Sequence, residues 1–246
     1  MRRHRKLILG IIAAALLVIG VAGYLWLTNL VEPMPEAQVA MDSDERVSVE
    51  TEPWLTFTPT QPATTGFIFY PGGRVPAEAY APAMRSIAEA GYTSIVAPMP
   101  FGLAVIAPDA ADGVIEAHPE IERWVIGGHS LGGAMAAQYA AGHETIEGLS
   151  LWAAYPPGDT DLSDSDVLVT SIFATEDGLT TGAEIEESRA QLPASTTFVE
   201  IAGGNHAGFG WYGAQDGDGQ ATITREEQQE QAVEATLELI EAVAAS

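Results

Sequence analysis

The sequence predicts an α/β fold in which a mostly parallel sheet is covered by helices on both faces. From residue 66 onward, segments with strand character alternate with helical segments, which is typical of a parallel sheet. Most of these strands are apolar along their whole length, as strands buried on both faces are. Of the 246 residues 47% are hydrophobic, and the roughly 200 that follow an apolar N-terminal segment suit one domain.

The first elements are predicted strands at 47–51 and 54–57, where apolar and polar residues alternate. A continuous apolar strand at 66–70 then runs into Pro71-Gly72-Gly73. A helix over 77–90 is stopped by Gly91, and the next strand, 93–97, is closed by Pro98.

The remaining elements continue the alternation. They are a weaker helix over 109–117, a strand at 124–127 followed by a helix to Ala141, strands at 148–154 and 167–174, a helix over 185–191, a strand at 197–201 and a long helix over 225–243.

The N-terminus predicts a membrane anchor. Residues 7–27 carry no charge, and as a helix they would span roughly 31 Å, close to the bilayer core of about 30 Å. The basic residues of 1–6 predict a cytoplasmic tail, so the rest of the chain would lie outside the cytoplasm as a single-pass protein of the cell membrane, joined by a linker over 28–46. Cleavage as a signal peptide, which would give a secreted protein, stays an alternative.

Charge and cysteine content exclude several classes of protein. Four of the ten basic residues precede residue 7, which leaves six against 34 acidic residues, a formal charge of −28. Such a surface repels phosphate backbones, so no nucleic-acid partner is expected. The absence of cysteine excludes disulfides, thiolate metal sites and a cysteine nucleophile.

Residues 128–132, Gly-His-Ser-Leu-Gly, form a G-x-S-x-G motif. The bare string is a weak signal, but an apolar strand precedes it and an alanine-rich helix follows. A strand–turn–helix of this kind holds a serine on a sharp turn, at a helix N-terminus where free N–H groups favour negative charge. Ser130 is therefore the candidate nucleophile.

A serine nucleophile needs a base, and the base needs an orienting carboxylate. Among five histidines, His206 follows the last predicted strand and precedes the last helix, which makes it the candidate base. Asp177, after the preceding strand, is the candidate acid, with Glu176 as fallback. Asp159 and Asp161, after an earlier strand, are a less favoured alternative. The order nucleophile, acid, base along the chain is the one that this architecture uses.

Two backbone N–H groups are expected to stabilise an oxyanion. One is the N–H of Leu131, directly after the nucleophile. The other is expected in the loop after strand 66–70, where Gly73 is favoured over Arg74 because glycine lets the backbone approach a substrate closely. A plain turn is the alternative interpretation of this loop.

With these residues the chain resembles the α/β-hydrolase fold superfamily, and more narrowly the small single-domain "alpha/beta hydrolase family 5" group. The resemblance covers roughly residues 45–246, and its carriers are the segments 69–73, 128–133, 174–178 and 203–210. It implies a Ser-His-Asp hydrolase domain, taken as 47–246. The chain is also similar in size to dienelactone hydrolases, but those use cysteine where Ser130 stands, which argues against their reaction.

The predicted function is a serine hydrolase, carboxylesterase-like, that cleaves a small ester-type substrate through an acyl-enzyme without a cofactor or a metal. Few residues separate 154 from 167, where larger relatives insert a lid, so an open site for small acyl groups is expected. A peptidase, thioesterase or lipase on the same residues is the alternative, as is a non-catalytic binding module that uses the fold. The oligomeric state is left open.

Two further segments allow more than one interpretation. Residues 216–220 faintly resemble a calcium loop, but Ala221 stands where such a loop requires glycine, so a glycine-rich surface loop is favoured. The aromatic residues Phe209, Trp211 and Tyr212 either pack in the core or line a substrate pocket.

Overall fold

A sheet of eight strands runs through the described part of the computed structural model, which covers residues 17, 18, 20, 21, 23 and 30–246. The strands are β1 (Val47–Glu50), β2 (Leu55–Pro59), β3 (Thr65–Tyr70), β4 (Thr93–Val96), β5 (Arg123–His129), β6 (Ile146–Trp152), β7 (Leu168–Ala174) and β8 (Thr197–Ile201). Their order in the sheet is β1-β2-β4-β3-β5-β6-β7-β8. β2 runs antiparallel to both of its neighbours, and all the other pairs are parallel.

The helices that follow the first strands occur in the predicted order, and one helix that precedes β1 was not predicted. The helices are α1 (Pro35–Val39), α2 (Ala81–Glu89), α3 (Ala110–Ala117), α4 (Leu131–Gly142), α5 (Gly182–Ser188) and α6 (Arg225–Ala244). Predicted helix 77–90 begins with the 3-10 turn Ala77–Tyr80, and predicted helix 185–191 ends in the 3-10 turn Arg189–Gln191. The predicted α/β class with a mostly parallel sheet is confirmed.

The two faces of the sheet bury separate apolar layers. On β3, Phe67 and Phe69 face one layer while Ile68 and Tyr70 face the other, as the two-residue period of a strand requires. The first layer holds residues of α2 and α6, and the second holds residues of α3 and α4. A strand with a layer on each side must be apolar at every position, which is why the sequence of β3 does not alternate.

Most of the predicted linker, 28–46, belongs to the compact unit in the structure. Residues 31–246 form one compact unit. Pro35 stands in the first turn of α1, where its missing N–H costs nothing, and Ala37 of that helix is fully buried. The N–H of Met34 also donates to the carbonyl of Trp211 at 2.9 Å. Residues 31–46 are therefore part of the folded domain, because a few small apolar side chains among the acidic ones pack against it.

The predicted cytoplasmic tail (1–6) and most of the predicted anchor (7–27) lie outside the described residues. Among the residues that are described, no helix combines the length and the apolar character needed to span a bilayer. The anchor and its orientation stay predictions.

The topology brings the candidate residues to one edge of the sheet. β3 and β5 are neighbours at the point where the strand order reverses, and Tyr70 of β3 is in register with Gly128 of β5. At such a point the two connections leave toward opposite faces and open a crevice at the carboxyl ends of the strands. β7 and β8 also pair, with Ala174 opposite Ile201, so the segments that follow them emerge at the same edge.

Candidate active site

Ser130 lies in a strained turn between β5 and α4. Its backbone angles are φ 52° and ψ −122°, in a region that costs a non-glycine residue about 1–3 kcal/mol. The turn is fixed on both sides, because the N–H of Ser130 donates to the carbonyl of Trp152 at 2.9 Å and its carbonyl accepts from Ala134 at 3.0 Å. The serine therefore precedes the first residue of a helix, as the motif predicted.

His206 and Asp177 form a buried pair. Nδ1 of His206 lies 2.8 Å from Oδ2 of Asp177, and their side chains are 1% and 0% exposed. Because a carboxylate only accepts, we assign the proton of the hydrogen bond to Nδ1, which leaves the lone pair on Nε2. The other oxygen of Asp177 accepts from the N–H groups of Leu179 at 2.8 Å and Thr180 at 2.7 Å. The carboxylate is therefore held in one orientation.

The alternative acids do not take part in this pair. Asp159 and Asp161 are exposed after β6, and Asp161 accepts from the N–H of Ser163 in a local turn. Glu176 is exposed, and its carboxylate accepts from the hydroxyl of Thr175 at 3.2 Å. Among the candidate carboxylates, the structure brings Asp177 to His206.

The ring of His206 lies beside the Ser130 turn. Its centroid is 4.6 Å from that of His129, the residue that precedes Ser130. Nε2 of His206 makes no hydrogen bond to another described residue. The two loops, after β5 and after β8, are therefore in direct contact at the carboxyl edge.

The two residues that carry the predicted oxyanion donors, Gly73 and Leu131, lie next to each other. A Cβ placed on Gly73 would lie 3.5 Å from Cδ2 of Leu131, so the two residues are neighbours. Neither the N–H of Gly73 nor that of Leu131 has a hydrogen-bond partner among the described residues. Arg74, the runner-up, donates its N–H to the carbonyl of Gly102 at 2.6 Å and is not available for this role.

The segment 205–210, which carries His206, is held by side chains from α6. Gln228 donates to the carbonyl of Asn205 and accepts from its N–H, at 2.7 and 3.0 Å. Gln229 donates to the carbonyl of Gly208 at 2.9 Å, and Arg225 donates to the carbonyls of Ala207 and Gly210. The sequence did not single out these α6 residues. The one available signal is that Gln228 and Gln229 lie one turn before Ala232 and Val233, on the face of the helix that carries its apolar residues.

A second buried network connects the Gly72–Gly73 loop to the Ser130 turn. The hydroxyl of Tyr80 accepts from the N–H of Gly72 at 3.0 Å and lies 2.9 Å from Nδ1 of His129. Because Nδ1 is the only acceptor that the hydroxyl of Tyr80 has among the described residues, we assign the hydroxyl proton to this hydrogen bond, which makes His129 a neutral ring protonated on Nε2. Burial, and next the charge of His206, hold the pKa of His129 well below its ordinary value. Tyr80 was not predicted, because its spacing is that of any core aromatic.

The lowered pKa of His129 predicts a pH-dependent stability. Below about pH 6.5 His129 becomes protonated in the unfolded chain but stays neutral in the folded chain. The free energy of unfolding therefore falls by up to about 1.4 kcal/mol for each unit by which the pH is lowered. Above that pH His129 is neutral in both states, so it no longer makes the free energy of unfolding depend on pH. The free energy of unfolding is to be measured with urea between pH 7.5 and 5.0. As the pH falls, it should decrease less steeply in His129→Gln than in the wild type, by up to about 1.4 kcal/mol per pH unit. Parallel slopes would contradict the assignment of a neutral His129.

Two of the three aromatic residues in the first ambiguous segment pack in the core, and Trp211 is 6% exposed and belongs to neither apolar layer. Phe209 and Tyr212 are at most 1% exposed within the apolar layer of α2 and α6, and Phe209 stacks on His129 at 5.7 Å. In the described part of the chain, no group of three or more acidic or histidine side chains is placed to hold a metal ion. Within the predicted glycine-rich loop, the carboxylate of Asp218 instead accepts hydrogen bonds from backbone N–H groups of its own loop and of two neighbouring loops.

The comparison with known families agrees with this architecture. A family model described as "Alpha/beta hydrolase family" matches residues 66–230, a range that includes β3 to β8 and the loops that follow them. The comparison with curated proteins finds no match. The matched residues make up well over half of the chain. The chain therefore belongs to the alpha/beta hydrolase family.

Proposed function

We propose that the chain is a serine hydrolase that cleaves small esters through an acyl-enzyme. Oγ of Ser130 attacks the ester carbonyl carbon while Nε2 of His206 takes the hydroxyl proton. The tetrahedral intermediate collapses, the C–O bond to the alcohol breaks, and His206 returns the proton to the departing alcohol. Water, deprotonated by His206, then attacks the acyl carbon. The bond from that carbon to Oγ of Ser130 breaks, His206 returns the proton to Oγ, and the acid is released.

The observation that carries the proposal is the buried hydrogen bond between His206 and Asp177 beside the strained serine. A carboxylate on Nδ1 fixes the tautomer whose Nε2 accepts a proton, and it stabilises the imidazolium that forms. The strained turn in turn presents the hydroxyl at the start of α4. A purely structural histidine would gain little from a free Nε2.

The oxyanion is assigned to the N–H groups of Leu131 and Gly73. Neither N–H group has a hydrogen-bond partner among the described residues, and the two residues are neighbours. Donors that are already in position need no reorganisation as charge develops, and the loss of one typically costs about 10²–10³ in rate.

A small ester is the favoured substrate because no helix covers the site in the lid position. Between β6 and β7, residues 153–167 contain neither helix nor strand. Such a site offers little surface to a long acyl chain, and the acidic domain disfavours anionic substrates. A panel of p-nitrophenyl esters should therefore show kcat/KM highest for acetate or butyrate and falling toward longer chains. A preference for long chains would favour the lipase alternative, and faster cleavage of amides the peptidase.

The proposal as a whole is tested by labelling the full chain with a fluorophosphonate. We expect one covalent adduct per chain, on Ser130, and none in Ser130→Ala. A folded wild-type chain that takes no label would contradict the proposal and favour the binding module. Circular dichroism of both proteins is the control for folding.

A further inference from the structure

Asp218 connects the loops that carry the two members of the buried pair. It stands in the segment 213–220 between the His206 loop and α6, and its carboxylate accepts four backbone N–H groups. Oδ1 accepts from Gly178 at 3.2 Å, from His206 at 3.1 Å and from Gly219 at 2.8 Å, while Oδ2 accepts from Ala207 at 2.8 Å. One side chain therefore binds both the residue after Asp177 and His206 itself.

A carboxylate suits this position better than any other short side chain. Its two oxygens offer about four acceptor sites and no donor, and charge strengthens each hydrogen bond to an N–H. An asparagine would turn its NH₂ group toward at least one of the four N–H donors. The four N–H donors therefore require a side chain in which both terminal atoms are hydrogen-bond acceptors.

The backbone around Asp218 is packed against the Asp177 loop without spare room. A Cβ on Gly219 would lie 2.0 Å from the carbonyl oxygen of Glu176, and one on Gly178 would lie 2.4 Å from that of Gly217. Asn205, directly before His206, also donates its side-chain amide to the carbonyl of Gly219 at 2.8 Å. The loop of Asp218 is therefore fixed against both of the loops that it joins.

We propose that Asp218 is a positioning residue that sets His206 in hydrogen-bonding register with Asp177. Its effect on rate rests on the proposed function, whereas its effect on the His206–Asp177 hydrogen bond does not. Asp218 touches neither the reacting hydroxyl nor the ring nitrogens of His206, and it acts through the main chain of residues 206 and 207. Displacement of a catalytic group by about 1 Å can cost about 10²-fold in rate.

The activity test uses Asp218→Ala, Asp218→Asn and a matched control. Asp216→Asn removes the same charge two residues away, from an exposed carboxylate that makes no hydrogen bond to a described residue. We expect kcat for p-nitrophenyl acetate to fall about 10²-fold in Asp218→Ala and less in Asp218→Asn, which keeps one oxygen acceptor, with KM little changed in both. Asp216→Asn should stay within twofold of the wild type. A fall in Asp216→Asn equal to that in Asp218→Asn would show a general charge effect and overturn the proposal.

A readout that does not depend on activity is the proton on Nδ1 of His206. In the full chain labelled with ¹⁵N-histidine, this proton should give a strongly deshielded, slowly exchanging NMR signal, assigned by its loss in His206→Gln. We expect the signal to shift or broaden in Asp218→Asn, to vanish in Asp218→Ala and to stay unchanged in Asp216→Asn. If Asp218→Ala unfolds, the comparison of the two asparagine variants decides.

The two readouts separate the two hypotheses. An unchanged signal in folded Asp218→Asn overturns the positioning role, whatever the activity. A wild type that shows the signal but takes no fluorophosphonate overturns the hydrolase proposal, while the response of the signal to Asp218 still decides the positioning role. Loss of the signal in Asp218→Ala, together with slower fluorophosphonate labelling of that variant, supports both the positioning role and the hydrolase proposal.

Discussion

Asp177→Asn is expected to lower kcat by about 10⁴-fold without unfolding the protein. The amide can keep its oxygen toward the N–H groups of Leu179 and Thr180, and its NH₂ then faces Nδ1 of His206. Nδ1 must accept instead of donate, which moves the ring proton to Nε2. The hydroxyl of Ser130 would then meet a donor where it needs a base.

Steady-state kinetics with p-nitrophenyl acetate would measure this effect. The matched control is Asp159→Asn, which neutralises the exposed alternative acid after β6 and should leave kcat within twofold. A loss below tenfold in Asp177→Asn, or a comparable loss in Asp159→Asn, would contradict the assignment of the acid. Equal melting temperatures of the two variants would show that the difference is one of chemistry.

Gly132→Ala is expected to destabilise the fold by at least about 3 kcal/mol. A Cβ at this position would lie 2.1 Å from the carbonyl oxygen of Tyr70 and 2.3 Å from that of Pro71. Both oxygens belong to the backbone at the end of β3, so relief requires α4 and β3 to move apart. The same movement would separate Leu131 from Gly73 and so impair the oxyanion site.

The control for this variant lies on the same helix. Gly142→Ala, at the last residue of α4, adds a Cβ that meets nothing within 4 Å. It should change the free energy of unfolding by no more than about 1 kcal/mol, in the stabilising direction. Urea unfolding of the two variants makes the comparison, and a Gly132→Ala protein as stable as Gly142→Ala would refute the close approach of α4 to β3.

The positions of the strands and of Ser130 were predictable because their signals are local. A strand buried on both faces is apolar at every position, as 66–70 is. The serine turn is marked by the glycines two residues before and two residues after Ser130. The pairing of His206 with Asp177 also followed from local sequence, because each lies within five residues of the end of a strand, and the two strands are neighbours in the sheet.

The hydrogen bonds that hold the site loops in place were not predictable. They join residues that are far apart in the sequence and are not connected by any helical or strand periodicity. Tyr80 meets His129 across 49 positions, and Asp218 meets Gly178 across 40. In the sequence a tyrosine that donates a hydrogen bond looks like a core tyrosine. An aspartate between two glycines likewise looks like a turn, and only the tertiary fold gives it four donors. The helix α1 was missed because Ala37 is a single small buried residue in an acidic segment.

The central claim is that Ser130 carries the acyl group between two half-reactions. Its most direct test is to mix the full chain with p-nitrophenyl acetate, quench with acid within the first turnover and locate the acetyl group by peptide mass spectrometry. We expect an acetyl group on Ser130 in the wild type, formed with one equivalent of p-nitrophenol. Turnover that leaves Ser130 unmodified, or that persists at the wild-type rate in Ser130→Ala, would contradict it.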